Sequence, residues 1–402
     1  MFPLSTLRTH GRLLGFGFFM CLCSNFGQTY FIALFGGEVR AAFDLSHGGF
    51  GTVYSLATLT SAAILIWAGR FVDRVSMASY STVVLLGLAG ACFIFGFAAS
   101  EAALVVALLF LRLFGQGLSN HAGITAMARY FDSFRGRAVS IANMGFPAGV
   151  AVFPTIVVLA LATYSWREIW LANGVIVVLA VPVMLVLLSD HNARHAAHVA
   201  SRAESGAMAR DHTLGEALRG VRFWLRMPAL LAPSFISTGL VFHQVHIADI
   251  KGWSMTLLSG SFSAYAALTV VAALLGGPLV DSIGARRLTR YFLVPLAAAA
   301  LVIVFFDGAW LAPVFFGFLG ASAGITAVIL GALWAELYGI SHLGAIRAFG
   351  QAAMVFSTGL SPVVFGVLID QGIKIEAIAG TCAVYCVFAS VLARAAESQA
   401  ER

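Results

Sequence analysis

The chain has 402 residues, of which 60% are hydrophobic and only 10% are charged. Soluble globular domains carry roughly 45–50% apolar and about 25% charged residues, so this composition excludes a soluble protein. The net charge of +6 comes from 22 Arg and two Lys scattered over short polar segments. No basic face of a soluble domain exists to bind nucleic acid, and we expect no such partner.

Twelve apolar runs follow one another along the chain, each long enough to cross the ~30 Å hydrocarbon core of a lipid bilayer. The predicted helices cover 13–35, 48–69, 78–99, 102–128, 138–163, 168–188, 228–248, 257–280, 290–306, 309–336, 346–369 and 375–394. The sequence therefore predicts an all-α membrane protein with twelve transmembrane helices.

One long polar segment, 189–226, divides the apolar runs into two sets of six. The predicted domains are an N-terminal six-helix bundle over 1–188, a cytoplasmic central loop over 189–226, and a C-terminal six-helix bundle over 227–402. At the end of the loop Leu214 and Leu218 share one face, which predicts an interfacial helix. A linker helix that runs into the seventh span is the alternative.

The basic residues predict the orientation of the spans. Of the 24 Lys and Arg residues, 19 lie in the segments on the side of both termini and four lie on the other side. Because cytoplasmic loops are enriched in Lys and Arg, both termini are expected in the cytoplasm. The expected location is the plasma membrane, which in bacteria is the inner membrane.

The two halves share landmarks at one common offset of 208 residues. The matching pairs are Gly69 with Gly277, Asp73 with Asp281, Tyr130 with Tyr338, Gly136 with Gly344, Asn143 with Gln351, and Pro154 with Pro362. Since each half has an even number of spans, the repeat predicts two bundles of the same orientation, related by a pseudo-two-fold axis along the membrane normal.

Two loops at matching positions carry a motif. Gly69-Arg70-Phe71-Val72-Asp73-Arg74 follows the second predicted span, and Gly277-Pro278-Leu279-Val280-Asp281-Ser282-Ile283-Gly284-Ala285-Arg286-Arg287 follows the eighth. Both resemble the loop motif of the major facilitator superfamily, although the first copy departs from it at Ser76 and Met77. The resemblance extends over the whole chain in span number, central loop and motif placement. It implies a secondary carrier that moves a small-molecule substrate by alternating access.

The motif loops are expected to form a conformational latch. Each Asp can meet the partial positive charge at a helix N-terminus in the opposite half, Asp73 at the eleventh span and Asp281 at the fifth. The predicted latch residues are Gly69, Asp73, Arg74, Gly277, Asp281, Arg286, Arg287 and Glu336. Two alternatives remain open here: the loops only orient the helices through their positive charge, and Glu336 points into water instead of pairing with Arg286 or Arg287.

Polar residues inside the apolar runs are the candidate substrate-binding residues, because a charge at mid-membrane depth is costly and usually functional. They are Arg112, Gln116 and Asn120 on the fourth span, Asn25 and Gln28 on the first, and Ser237 and His243 on the seventh. In the family that the chain resembles, spans 1, 4, 7 and 10 line the cavity. The alternative role of the amide side chains is hydrogen bonding between helices.

No Asp or Glu is expected near the middle of a span, which favours an anionic or neutral organic solute with Arg112 as its counter-charge. A proton-coupled multidrug efflux pump and a non-transporting membrane sensor are the alternatives, and coupling to a proton is left open. No catalytic, metal-binding or ATP-binding constellation appears in the sequence. We expect no enzyme activity, no cofactor and a monomer.

Overall fold

The computed structural model describes residues 4–68, 71–72, 75–131, 135–189, 214–338 and 343–398. Throughout this part of the chain the regular structure is helical. In chain order the α-helices are α1 (Leu4–Cys23), α2 (Thr29–Ala33), α3 (Gly36–Phe43), α4 (His47–Ala68), α5 (Met77–Gly96), α6 (Glu101–Phe110), α7 (Asn120–Tyr130), α8 (Arg135–Asn143), α9 (Gly145–Leu161), α10 (Trp166–Leu187), α11 (Leu214–Arg219), α12 (Val221–Ala232), α13 (Thr238–Phe242), α14 (Gln244–Lys251), α15 (Met255–Ile283), α16 (Ala285–Leu288), α17 (Val294–Phe305), α18 (Leu311–Tyr338), α19 (Leu343–Asp370) and α20 (Ile375–Ser398).

Three segments join these helices with a different helical geometry. Ser24–Gly27 is a 3₁₀-helix between α1 and α2, whereas Leu111–Ser119 and Pro233–Ser237 are π-helical and continue α6 into α7 and α12 into α13. The sequence predicts single uninterrupted helices at all three places. The breaks arise where Gly, Pro and short polar residues, which are poor helix formers, interrupt the apolar runs.

Among the described residues, ten helices are long and apolar enough to cross a membrane. A bent pair, 10–33 with Gly36–Phe43, adds an eleventh crossing if it is counted as one span, and α17 lies within the ninth predicted run. The structure therefore confirms a nearly all-helical multi-pass membrane protein. Its helices begin and end within a few residues of most predicted bounds. However, α1 begins at Leu4 and α12 at Val221, before the predicted starts at 13 and 228, and α17 begins at Val294, after the predicted start at 290.

The chain packs into two compact units. Unit 1 comprises Met1–Phe35 and Leu56–Gly206, and unit 2 comprises Gly36–Ser55 and Ala207–Arg402. The segment Gly36–Ser55, which the sequence analysis places in the first bundle, thus packs with the second. Of the predicted interfacial helix, the structure describes α11 and the start of α12, separated at Gly220; the rest of the central loop, 190–213, lies outside the described residues.

Short polar residues start several helices. Ser76 accepts a hydrogen bond from the Ser79 backbone N–H, and Ser254 accepts one from Leu257. Ser165 and Glu168 form a reciprocal capping box at the start of α10. Each cap satisfies a backbone donor that the first helical turn leaves without an intrahelical partner. Such caps allow short loops to join consecutive spans.

Aromatic packing forms the core of unit 1. The Trp170 side chain is fully buried, and its ring lies 5.5 Å from Phe31, 5.2 Å from Phe35 and 4.6 Å from Phe95, measured between ring centroids. These residues belong to α2, the segment that follows it, α5 and α10. The cluster therefore ties the short helix after the first break to the body of the unit.

Small residues bring the long helices of unit 2 together. A Cβ added to Gly320 would lie 2.1 Å from the Tyr265 carbonyl oxygen, and one added to Gly324 would lie 2.2 Å from that of Thr269. Only glycine permits this approach of backbone to backbone, which is how membrane helices pack without a hydrophobic driving force. The contact fixes α15 against α18.

Candidate functional site

The first spanning segment is broken in the middle of its apolar run. After the 3₁₀ turn, Gln28 is extended, with φ −82° and ψ 148°. The Asn25 amide donates to the Leu22 carbonyl at 2.8 Å and accepts from the Tyr30 hydroxyl at 2.7 Å, so a side chain takes over part of the backbone bonding. In a membrane protein, irregular backbone is tolerated only where it is buried in protein or lines a cavity.

The fourth spanning segment is irregular where it meets this break. A Cβ on Gly27 would lie 2.1 Å from the Leu111 carbonyl oxygen, and a Cβ on Gly115 would lie 2.6 Å from the Gly27 Cα. The 3₁₀ turn and the π-segment therefore touch backbone to backbone, and we call this contact the Gly27–Gly115 crossing. Short π-helical stretches in α-helices frequently occur at functional sites.

Arg112 lies at the Gly27–Gly115 crossing. Its side chain is buried, with only 2% of its surface exposed. One guanidinium nitrogen, Nη1, donates to the Gly27 carbonyl at 2.9 Å and to the Thr29 hydroxyl at 3.4 Å. The break in the first span frees the carbonyl that Arg112 binds, so the charge and the irregular backbone stabilise each other.

The other candidate binding residues of unit 1 lie in or directly beside the two irregular segments. Gln28 directly follows Gly27 and is half-buried, as is Gln116 in the π-segment. Asn120 is one turn further along and accepts a hydrogen bond from the Cys21 thiol at 3.3 Å. Asn25 is fully buried, and its amide lies against Gly149 of α9, where a Cβ would come within 2.2 Å of it. Asn25 therefore joins helices, while Gln28 and Gln116 flank the crossing.

The seventh spanning segment of the chain, which lies in unit 2, is irregular at the position that matches the break in the first span. The offset of 208 residues carries the break at 24–28 onto 232–236, which overlaps the π-segment Pro233–Ser237. Ser237, predicted as a binding residue, is half-buried at the end of that segment. In transporters built from repeats, discontinuous helices in corresponding positions are a good indicator of the substrate site.

His243 lies beyond this irregular segment and is only 3% exposed. Its Nε2 is 3.2 Å from the Pro362 carbonyl of α19. Its ring is 5.6 Å from that of His47, which is 4.5 Å from His246. In the part of the chain that the structure describes, no group of three or more His, Cys, Asp or Glu side chains is placed to hold a metal ion. His243 therefore belongs to a packed layer of imidazole rings.

Asp370, at the end of α19, caps the N-terminus of α4. The sequence did not indicate this role. Its Oδ1 accepts from the His47 backbone N–H at 3.1 Å, and its Oδ2 accepts from Gly48 at 2.8 Å. A Cβ on Gly51 would lie 2.5 Å from the Pro362 carbonyl oxygen. The capping carboxylate and the small residues of α4 are the sequence signal that could have indicated this contact.

Lys251 forms a second charged contact in unit 2, outside the spans. Its Nζ donates to Asp307 at 2.8 Å and lies 2.9 Å from a Glu376 oxygen. Burial lowers the pKa of Lys251, but the hydrogen bonds and charges of the two carboxylates outweigh this effect and leave the pKa raised. The loop after α14 is thereby tied to the start of α20.

The motif loop of unit 2 is held by Glu336. The Glu336 carboxylate accepts from the backbone N–H groups of Ala285 at 2.7 Å and Arg286 at 3.3 Å, while the Arg286 guanidinium binds Glu397 at 3.4 Å. Asp281 is exposed in the last turn of α15. Glu336 therefore contacts the backbone of the motif loop, and the partner of the Arg286 guanidinium is a residue that the sequence analysis did not select.

Of the five other predicted latch residues, the structure describes two. Gly277 lies in α15 and Arg287 is exposed in α16. Gly69, Asp73 and Arg74 lie outside the described residues. The predicted latch therefore stays a prediction.

These features define a class of protein: a multi-pass helical membrane protein whose first and seventh spans contain segments that are not α-helical at matching positions of a repeat. The chain belongs to the major facilitator superfamily, because the model of that family matches residues 17–316. It is accordingly a membrane transporter of the alternating-access type.

Solved structures with the same fold include a bacterial homologue of the human lysosomal transporter Spinster. Its inward-facing, unoccupied form is 14% identical, with a TM-score of 0.67 and 96% of each chain covered. Its inward-facing, occupied form is 13% identical, with a TM-score of 0.67 and coverage of 98% of this chain and 97% of that chain. At this identity the likeness establishes the fold alone. A comparison with curated proteins finds no match.

Proposed function

We propose that the chain is a secondary active transporter of a small anionic or neutral organic solute, and that Arg112 contacts the solute. The observation that carries this proposal is the buried guanidinium at the Gly27–Gly115 crossing. Transporter sites near the bilayer midplane are commonly built where spanning helices are discontinuous. Here a charge, an irregular first span and an irregular fourth span coincide.

The charge of the site supports an anion. The oxygens of Gly27 and Thr29 that Arg112 binds are both neutral. No Asp or Glu occurs in Ser24–Gly27 or Leu111–Ser119. A charged side chain at mid-membrane depth usually marks a functional site, and the planar guanidinium binds a carboxylate through two parallel hydrogen bonds. An anionic solute could form such a pair with Arg112, with Gln28 and Gln116 beside it.

The orientation remains a prediction from the distribution of Arg and Lys. In this prediction the protein lies in the plasma membrane and both termini are in the cytoplasm. In that orientation the motif loops lie on the cytoplasmic side. The proposed latch would close this side during transport, with Asp281 as the residue of the second copy. Coupling to a proton is compatible with this arrangement and is tested by the same measurements.

The test is uptake by purified protein in liposomes, over a panel of carboxylates, neutral solutes and cationic drugs, with and without a pH gradient. Once a solute is found, its affinity is compared in the wild type, Arg112→Lys and Arg112→Gln. For an anion, Arg112→Lys should weaken binding about tenfold or more, because an ammonium cannot form the bidentate pair. Arg112→Gln should abolish transport.

The matched control is Arg129→Lys. Arg129 lies in the same unit and its Nη1 donates to the Val72 carbonyl at 3.2 Å, but it is outside the crossing. The control should bind the solute like the wild type. Equal affinities in the wild type and Arg112→Lys would remove Arg112 from the site. Transport of cationic drugs alone would overturn the proposed solute class.

A further inference from the structure

A groove opens on the surface of unit 2 between the start of α17 and the end of α20. Its volume is about 220 Å³, less than the ~300–1,000 Å³ of pockets that enclose a whole small molecule. It is lined by Arg290, Tyr291, Leu293, Val294, Ala297, Cys386, Val387, Ser390, Val391 and Arg394. The size suits one extended hydrocarbon chain.

The groove exists because α17 is short. With 12 residues it extends ~18 Å at 1.5 Å per residue, well below the ~30 Å of the hydrocarbon core. The residues before it, 289–293, form turns, whereas α20 continues beside them for its full 24 residues. On this side of α20, the turns 289–293 therefore lie where a longer α17 would continue.

The walls of the groove are apolar and face outward. Val294 is 62% exposed, Val387 63% and Val391 59%. Val387 and Val391 are four residues apart and share one helix face. On a spanning segment, exposed apolar side chains contact lipid, so the groove is open to the acyl chains of the bilayer.

One end of the groove is basic. Arg290 and Arg394 line this end. Close by, the Arg286 guanidinium forms a salt bridge with Glu397. The Glu397 side chain is only 1% exposed and also binds Arg290. Two guanidinium groups thus meet one covered carboxylate, and Arg394 adds a third positive charge at this end of the groove. Arg394 is exposed at the mouth, so an approaching anion meets positive charge.

We propose that this groove is a binding site for an anionic phospholipid, with an acyl chain along Val294 and Val387 and the phosphate at Arg290 and Arg394. Basic pockets between helices at the cytoplasmic side bind anionic headgroups. This end of the groove lies on the side where the basic residues of the chain concentrate. The exposed Tyr291, beside Arg290, suits the boundary between headgroups and hydrocarbon. The site is separate from the Gly27–Gly115 crossing and does not depend on which solute is transported.

The test is retention of phosphatidylglycerol by the purified full-length protein, measured by native mass spectrometry in detergent. Phosphatidylcholine with the same acyl chains and glycerol 3-phosphate are the comparison probes. The wild type should retain phosphatidylglycerol in preference to both. Arg394→Gln should weaken that retention about fivefold, since one basic residue near an anionic headgroup contributes ~1 kcal/mol. Val387→Trp should fill the groove and lower retention of both phospholipids.

Two variants are matched controls. Arg347→Gln removes an exposed Arg outside the groove, and Val384→Trp adds the same bulk at a 70% exposed position of α20 outside the lining. Both should behave like the wild type. Equal retention of the two phospholipids, or equal loss in the variants and their controls, would overturn the proposal. Tight binding of glycerol 3-phosphate that Val387→Trp leaves unchanged would also overturn it, because the site would then be for a free phosphate.

Discussion

Replacing Gly27 with Ala tests the central claim about the crossing of the first and fourth spans. The added Cβ would lie 2.1 Å from the Leu111 carbonyl oxygen and 2.6 Å from the Gln116 backbone nitrogen. Contacts between non-bonded heavy atoms are favourable only at about 3.5–4.0 Å. Because the clashing atoms are backbone atoms, no change of side-chain rotamer relieves them, and the two segments must separate by about 1 Å or more.

Such a separation has a calculable cost. The hydrogen bond from Arg112 Nη1 to the Gly27 carbonyl is 2.9 Å long, and about 1 Å of movement would take it beyond hydrogen-bonding distance. Hydrogen bonds to charged groups contribute about 1.5–3 kcal/mol, and overpacking itself typically costs about 1–3 kcal/mol. Since the two segments can share the displacement, we expect Gly27→Ala to lower the free energy of unfolding by about 3 kcal/mol.

The assay is unfolding of the purified protein in mild detergent, by added denaturing detergent and by heat. Gly115→Ala should be destabilised similarly, since its Cβ would lie 2.6 Å from the Gly27 Cα. Gly90→Ala is the control: it lies in α5 of the same unit, and a Cβ there would meet no atom within 4 Å. If both crossing variants unfold at the same point as Gly90→Ala, the backbone contact does not exist and the site loses its geometric basis.

Three further predictions concern charged groups. Asp370→Asn removes the carboxylate at the N-terminus of α4 and should lower the free energy of unfolding by about 0.5–2 kcal/mol in the same assay; an unchanged midpoint would contradict the cap. Glu397→Gln removes the buried partner of Arg286 and Arg290, and because these are 31% and 25% exposed the expected loss is only about 1–2 kcal/mol. Asp281→Asn should slow uptake at normal expression by weakening a charge–dipole contact of about 0.3–1 kcal/mol; wild-type uptake would leave the loop with a role in orientation only.

The positions of the spans were predictable because the bilayer imposes them. A run of about 20 apolar residues has few alternatives to a spanning helix, so hydropathy located nearly every helix. The late start of α17 has a local cause: the turns at 289–293 occupy the start of the predicted ninth run. Hydropathy reports whether a segment lies in the membrane, but not whether its backbone is regular there.

The partners within the site were not predictable. Depth along the fourth span indicated that Arg112 lies near the middle of the membrane, and the structure buries it. Its partner, however, is a backbone carbonyl that becomes available only because the first span breaks at Gly27. That break depends on Gly115, 88 positions away, which leaves room for the crossing. Asp370 was missed for the same reason, since the N–H groups it binds lie more than 320 residues earlier.

Helix α4 belongs to both compact units: its first nine residues, His47–Ser55, pack with unit 2, and the rest packs with unit 1. A continuous 22-residue helix is a stiff rod about 33 Å long. Its beginning is clamped by Asp370, and its other end leads directly into the motif loop that contains Asp73. One unbroken helix therefore connects, along the chain, the end that Asp370 caps with the residue that precedes the motif loop.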